Sequence, residues 1–179
     1  MDTSATAQPD PTELDRIGLD MSGRGVLITG GTKGIGAIMV RRFLDWGADV
    51  MTCGRSEPEE LPSSAGRTAQ FMAADIRDPE QAAELVDEAV RRFGRLDTVI
   101  NNAGGAPPAD AATASPRFSE SIVRLNLLAP LHVAQRANHH MQQAPEDGRS
   151  NTIINIASVS ATRPSPGTAA YGAAKAGLL

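Results

Sequence analysis

Tyr171 and Lys175 stand four residues apart in the segment Tyr171-Gly172-Ala173-Ala174-Lys175. On a helix their side chains share one face, one turn apart. A phenol has an unperturbed pKa of ~10 and is a poor base near neutrality. A neighbouring cation favours the phenolate and brings that value down, so the pair is a device for moving a proton. Taken alone, this spacing also occurs on ordinary surface helices. Ser158 adds a hydroxyl thirteen positions before Tyr171, at the end of the run Asn155-Ile156-Ala157. In open α/β sheets that carboxyl end of a strand is where ligands bind. Its plainer reading is a strand-end cap.

A second constellation lies near the other end of the chain. Thr29-Gly30-Gly31-Thr32-Lys33-Gly34-Ile35-Gly36 follows a short apolar run and precedes a helical pattern. Glycines let the backbone turn tightly and approach a phosphate, and a helix N-terminus offers free N–H groups and a positive dipole. Gly30, Gly34 and Gly36 give the spacing G-x-x-x-G-x-G. The loop lacks the Gly-Lys-Ser/Thr of a Walker A motif and also differs from G-x-G-x-x-G. Dinucleotide binding is the reading favoured by the strand–turn–helix context, against an ordinary glycine-rich loop.

The elements that must position these groups alternate. Strands are expected at Val26 to Thr29, Ala48 to Cys53, Gln70 to Ala73, Leu96 to Ile100 and Thr152 to Ala157. Between them lie helical patterns. The first carries Ile35, Ile38, Met39, Leu44 and Trp46 roughly on one face and stops at Gly47. The second opens with Asp78 as cap, Pro79 at the first helical position and Gln81 placed for a capping box. Its stripe runs through Ala82, Leu85, Val86, Ala89, Val90 and Phe93 to Gly94. A long helix is expected from Phe118 to about Met141, kinked or divided at Pro130. An Ala-rich helix begins near Thr168. Continuous apolar strands alternating with helices imply a parallel sheet covered on both faces, an α/β doubly wound fold with about five strands. Residues 1–20 are polar and read as a flexible tail ahead of a single domain over residues 21–179.

Composition narrows the function classes. The chain has 179 residues, 41% hydrophobic and 21% charged, which suits one globular domain. A net charge of -4 and 3% aromatic residues argue against a nucleic-acid binder. The single cysteine, Cys53, excludes an internal disulfide framework or multi-cysteine metal site, and its place at a strand end suits a small buried residue. His132, His139 and His140 lack metal-ligand spacing and read as helix-surface residues, so no metal is expected. No apolar run approaches the ~20 residues of a membrane span. No secretory signal is evident, and a cytoplasmic location is expected.

As a set, these motifs resemble the short-chain dehydrogenase/reductase family over about Gly23 to Leu179. The resemblance implies a Rossmann-like fold and reversible carbonyl–alcohol oxidoreduction on a small-molecule substrate. It assigns cofactor binding to Gly30, Thr32, Lys33, Gly34, Ile35 and Gly36. Asp75-Ile76 is similar to the family's pair that holds the adenine, and Asn101-Asn102-Ala103-Gly104 to its Asn-Asn-Ala-Gly segment beside the cofactor, which adds Asn102, Ala103 and Gly104. Where the family places an acidic, NAD-selecting residue after the second strand, this chain has Gly54 followed by Arg55. An arginine there pairs with a 2′-phosphate, and Lys33 adds charge, so NADP(H) is expected over NAD(H). Asn126 matches the helix asparagine that helps hold a proton-relaying water. Tyr171 then acts as general acid/base, Ser158 steadies the carbonyl oxygen, and Lys175 lowers the phenol pKa and binds the nicotinamide ribose.

Family members continue past the position of Leu179 with two further strands and a substrate loop, so the chain reads as C-terminally incomplete. A bare apolar edge at the fifth strand and a short, frayed final helix are expected from that. The alternative function is a non-catalytic dinucleotide-binding or scaffold protein. The full-length form is expected to be a homo-oligomer, dimer or tetramer.

Overall fold

In a computed structural model, residues 19–145, 147–163 and 165–179 are described. The expected tail lies outside them up to residue 18. Alternate residues of the first strand, β1 (Gly25–Thr29), part to opposite sides of a sheet. Leu27 joins one apolar cluster, and Val26 and Ile28 join another. This two-sided burial requires helices on both faces. The order of elements supplies them: α1 (Gly34–Asp45), β2 (Asp49–Gly54), β3 (Ser63–Ser64), β4 (Arg67–Thr68), β5 (Gln70–Ala73), α2 (Pro79–Phe93) and β6 (Thr98–Asn101). Next come α3 (Pro116–Val123), a π-helical turn (Arg124–Leu128), α4 (Ala129–Met141), β7 (Thr152–Asn155), a 3-10 turn (Val159–Ala161) and α5 (Ala169–Ala176).

The main sheet has the order β5-β2-β1-β6-β7 and every pairing is parallel. It is the expected Rossmann-like, doubly wound α/β sheet of five strands. α2 and α4 cover one face with Ala82, Leu85, Val86, Ala89, Val133 and Ala137, and α1 covers the other with Val40 and Leu44. A two-stranded hairpin, β3 with β4, was not expected; its turn uses Ala65 and Gly66 with φ of 50° and 72°.

Two local expectations are corrected, and a third is borne out with its mechanism. In α1 the buried face is Gly36, Ala37, Val40 and Leu44, whereas Ile35 and Ile38 are 70% and 66% exposed. The glycine turn sets this rotation. Gly36 must face the turn, and the positions four and eight residues later then face the sheet. In α2, Asp78 caps by accepting from the Glu80 N–H at 2.9 Å, as expected, but Gln81 reaches past the cap. Its Oε1 accepts from the Asp75 N–H at 2.9 Å, while its Nε2 donates to Asp78 Oδ2 at 3.0 Å. The long helix is divided by a π turn ahead of Pro130. Proline has no N–H to close the helical bond to the Asn126 carbonyl. The ladder widens, and the Ala129 N–H donates to Arg124 O, five residues back.

β7 is an outer strand, as expected, and is largely exposed, with Ile154 39% accessible. α5 is short, but it is docked rather than frayed: Gly172, Ala174 and Lys175 are buried. No helix among the described residues is long and apolar enough to cross a membrane.

Candidate active site

Because the strands are parallel, their carboxyl ends share one edge, where the loops after β1, β2, β5, β6 and β7 gather. The glycine turn is fixed there by two threonines and an asparagine. Thr52 Oγ1 accepts from the Gly31 N–H at 2.7 Å and donates to Ile28 O at 2.7 Å. Thr29 Oγ1 accepts from the N–H groups of Asn102 and Ala103 at 3.1 and 3.0 Å. The Asn102 amide donates to Thr29 O at 2.9 Å and Gly30 O at 3.2 Å. Sequence reading missed Thr29 and Thr52. The signal available was a polar residue inside the otherwise apolar run Val50-Met51-Thr52-Cys53.

Glycine is required at two points of this turn. A Cβ on Gly36 would lie 2.4 Å from Gly30 O, so no larger residue lets the helix start so close to the turn. Gly34 has φ +56° and open space around its missing Cβ. Lys33 is the N-cap of α1 and no side chain caps the helix. The first-turn N–H groups and the dipole are thus left for an anion, with Thr32 half-buried and Lys33 and Ile35 exposed around them.

At the end of β2, Cys53 is buried, and burial pushes its thiol up to about 11, which makes it inert as a nucleophile. Arg55 follows, exposed and in no ion pair among the described residues. Asp75 is gripped by Arg77, whose guanidinium holds its carboxyl below the ordinary range. Ile76 is buried in the core beside it.

On the other side of β1, the structure brings together Gly104, Asn126 and Lys175. A Cβ on Gly104 would lie 2.7 Å from Asn126 Oδ1 and 3.4 Å from Lys175 Nζ. Asn126 sits in the π turn, fully buried. Its Oδ1 accepts from the Gly105 N–H at 2.8 Å, and its Nδ2 donates to Gly105 O at 3.0 Å and Ile122 O at 2.9 Å. Its side chain is therefore consumed in pinning the loop after β6, and Pro130 leaves its backbone carbonyl without the usual helical donor. Lys175 is 2% exposed and its Nζ donates to Ile156 O at 2.6 Å. Burial pushes its pKa below the ordinary lysine value.

Ser158 caps the 3-10 turn, its Oγ accepting from the Ser160 N–H at 3.2 Å. That turn packs on α5: a Cβ on Gly172, next to Tyr171, would lie 3.0 Å from Ser160 O. Tyr171 is half-buried, and its hydroxyl hydrogen-bonds to no described residue. It lines a cavity of about 50 Å³ with Ala106, Pro107, Phe118, Ile122 and Thr168. Of the histidines read as surface residues, His140 is half-buried, and its Nε2 lies 2.7 Å from Asp87 Oδ1.

The short chain dehydrogenase family model matches residues 24–179. L-fucose dehydrogenase of Bos taurus is 36% identical over 151 residues, covering 80% of this chain and 52% of that protein. A probable 2,4-dienoyl-CoA reductase of Bacillus subtilis is 32% identical over 165 residues, covering 89% of this chain and 63% of its own. Among solved structures, an NADH-dependent reductase complexed with NAD aligns with a TM-score of 0.81 at 28% identity, over 88% of this chain and 69% of its own. A short chain dehydrogenase from Burkholderia cenocepacia in complex with NADP aligns with a TM-score of 0.77 at 30% identity, over 88% and 65%. The chain belongs to the short-chain dehydrogenase family of oxidoreductases. It spans about half the length of the L-fucose dehydrogenases it matches.

Proposed function

We propose that this chain carries the catalytic core of an NADP(H)-dependent oxidoreductase interconverting a carbonyl and an alcohol, with Tyr171 as general acid/base. The observation that carries the reading is the convergence of Lys175, Gly104 and Asn126 beside α5, at the same sheet edge as the glycine turn. The relatives' names span dehydrogenases and reductases, which supports the reaction class.

The residues fit a dinucleotide. Gly34 leaves open space at an uncapped helix N-terminus, and Gly30 and Gly36 keep the turn compact, as a pyrophosphate needs. Asn102, Ala103 and Gly104 form the wall after β6, and Asp75 and Ile76 the far end. Arg55 and Lys33 are exposed cations that form no ion pair among the described residues, and Gly54 puts no carboxylate where a 2′-phosphate would be repelled, which favours NADP(H) over NAD(H).

When bound, the nicotinamide supplies or accepts the hydride. Tyr171 gives a proton to the carbonyl oxygen in reduction and takes it back in oxidation. Ser158 donates to the same oxygen as negative charge builds on it. The Lys175 ammonium stabilises the phenolate left behind, and its bond to Ile156 O fixes where it stands. Asn126 holds the loop carrying Gly104 and Gly105 and, as the family resemblance implies, helps hold a water that relays protons to Lys175.

The test is cofactor oxidation by the intact chain with a panel of small ketones and aldehydes. Turnover with NADPH faster than with NADH is expected. Dinucleotide binding without turnover of any carbonyl would favour a binding or scaffold role instead.

A further inference from the structure

The cavity beside Tyr171 is a feature that the proton chemistry does not use. Its walls come from the loop after β6, with Ala106, Pro107 and Ala114, from α3, with Phe118 and Ile122, and from the start of α5. Two backbone features clasp the loop after β6 to the loop ahead of α5. The Ala109 N–H donates to Gly167 O at 3.0 Å. Gly167 itself has φ +79°, and a Cβ there would lie 3.3 Å from Pro108 Cβ. The walls of the cavity are therefore tied to one another and to the helix that carries Tyr171.

No charged side chain among the described residues lines this cavity. Asp110 is the one charged residue between Gly105 and Ser115, and its Oδ1 accepts from the Ala112 N–H at 2.7 Å, within its own turn. Thr168 spends its hydroxyl hydrogen on Ser165 O at 2.7 Å, and Ser119 brings the other hydroxyl. A charged group moved here from water would lose its hydration and gain no counter-ion. The cavity measures about 50 Å³. An apolar cavity of about 150 Å³ holds a benzene ring, so a third of that volume takes about two carbons.

We infer that this cavity receives one short, uncharged alkyl arm of the substrate, so that the chain acts on small dialkyl ketones and the matching secondary alcohols. The inference rests on the oxidoreductase reading above, in which the Tyr171 hydroxyl meets the carbonyl oxygen. Both arms of a ketone leave the carbon that carries that oxygen, so one arm of a bound ketone falls beside Tyr171. Phe118 and Ala114 set how long that arm is allowed to be: the ring is the bulkiest wall, and the methyl leaves the space that a larger side chain would fill. The chemistry at the carbonyl is unaltered, and the cavity decides which ketones reach it.

The test is NADPH oxidation by the intact chain with symmetrical ketones, so that the same arm enters in either orientation: acetone, 3-pentanone, 4-heptanone and 5-nonanone. The wild-type kcat/KM is expected to hold or rise from acetone to 3-pentanone and to fall by about tenfold or more at 4-heptanone, the scale of one methylene in a closed pocket. Phe118→Ala should raise the ratio of 4-heptanone to 3-pentanone by about tenfold. Ala114→Val, which decides the matter if the first variant fails to fold, should lower the ratio of 3-pentanone to acetone by about tenfold. Ratios taken within one variant cancel any loss of folded protein. A flat wild-type series, a ratio unmoved in a folded variant, or turnover of aldehydes with none of these ketones would overturn the role of the cavity. A wild-type chain that reduces no carbonyl at all would instead overturn the reading beneath it.

Discussion

β1 and β7 run parallel in one sheet, separated only by β6, and are held in place by different forces. All five residues of β1 are buried, with Leu27 and Ile28 wholly enclosed. β7 leaves Thr152, Ile154 and Asn155 exposed. The glycine turn grows out of the first strand, and the segment leading to Ser158 and α5 grows out of the second. Burial fixes the strand beneath the proposed nucleotide half, and Thr29, Thr52 and Asn102 then pin its turn. The proposed proton-transfer half is fixed by individual polar bonds: Lys175 Nζ to Ile156 O at 2.6 Å, and Asn101 Nδ2 to Asn155 Oδ1 at 2.9 Å across β6 and β7. A site assembled this way has a rigid binding platform and a working edge whose geometry depends on single side chains.

Substitutions in the two halves should therefore separate function from stability. Tyr171→Phe is expected to lower carbonyl turnover by about 10²- to 10⁴-fold, the usual worth of a positioned acid/base, with little change in melting temperature or dinucleotide affinity. Steady-state kinetics beside a thermal melt checks this, and a variant with undiminished turnover contradicts it. Leu27→Ala should do the reverse, costing about 2–5 kcal/mol of stability because Leu27 is fully enclosed. Ile154→Ala, on the exposed strand, should cost about 1 kcal/mol or less. Denaturant unfolding of the two variants measures the contrast, and equal losses would erase it.

A smaller effect is expected in cofactor choice. Arg55→Asp should shift the NADPH-over-NADH preference toward NADH by about tenfold or more, since it replaces a charge-assisted bond to phosphate with repulsion. An unchanged preference in paired KM measurements would remove Arg55 from the site.

The smallest effect is expected at alkaline pH, where the halves have opposite signs. Cys53 keeps its proton longer in the folded chain, up to about 11 against an ordinary 9.0, so its contribution to stability falls as pH rises across that window. Lys175 has a lowered pKa, so the unfolded chain binds more protons than the folded one just below the ordinary 10.5, and its contribution rises with pH there. Cys53→Ala should flatten the alkaline decline in stability and Lys175→Met should steepen it, read by unfolding at stepped pH. The opposite slopes would reverse the assignment.

Much of this contrast was legible in the residues. The continuous apolar runs around Leu27 and Val99 mark buried parallel strands, and the glycine spacing with the Tyr171–Lys175 interval marks the two ends of the site. The rotation of α1 was not legible, because hydrophobicity points to Ile35 and Ile38 while the close approach of Gly36 to Gly30 decides the face. The π turn was anticipated only as a kink or boundary at Pro130, since proline announces a missing donor but not how the ladder recovers. The grip of Arg77 on Asp75 and Ser121 joins residues two and forty-four positions apart, and only the fold brings the third partner in. Thr52 is similar: a polar residue in an apolar strand signals a bond, but its partners Gly31 and Ile28 lie on the neighbouring strand and turn.

The most direct measurement is a crystal structure of the intact chain with NADP(H) and an unreactive carbonyl analogue. The expected result is a pyrophosphate against the N–H groups at Gly34 to Gly36, with the Tyr171 and Ser158 hydroxyls both bonding the analogue's oxygen. A dinucleotide bound elsewhere, or a Tyr171 hydroxyl turned away from the analogue, would contradict it.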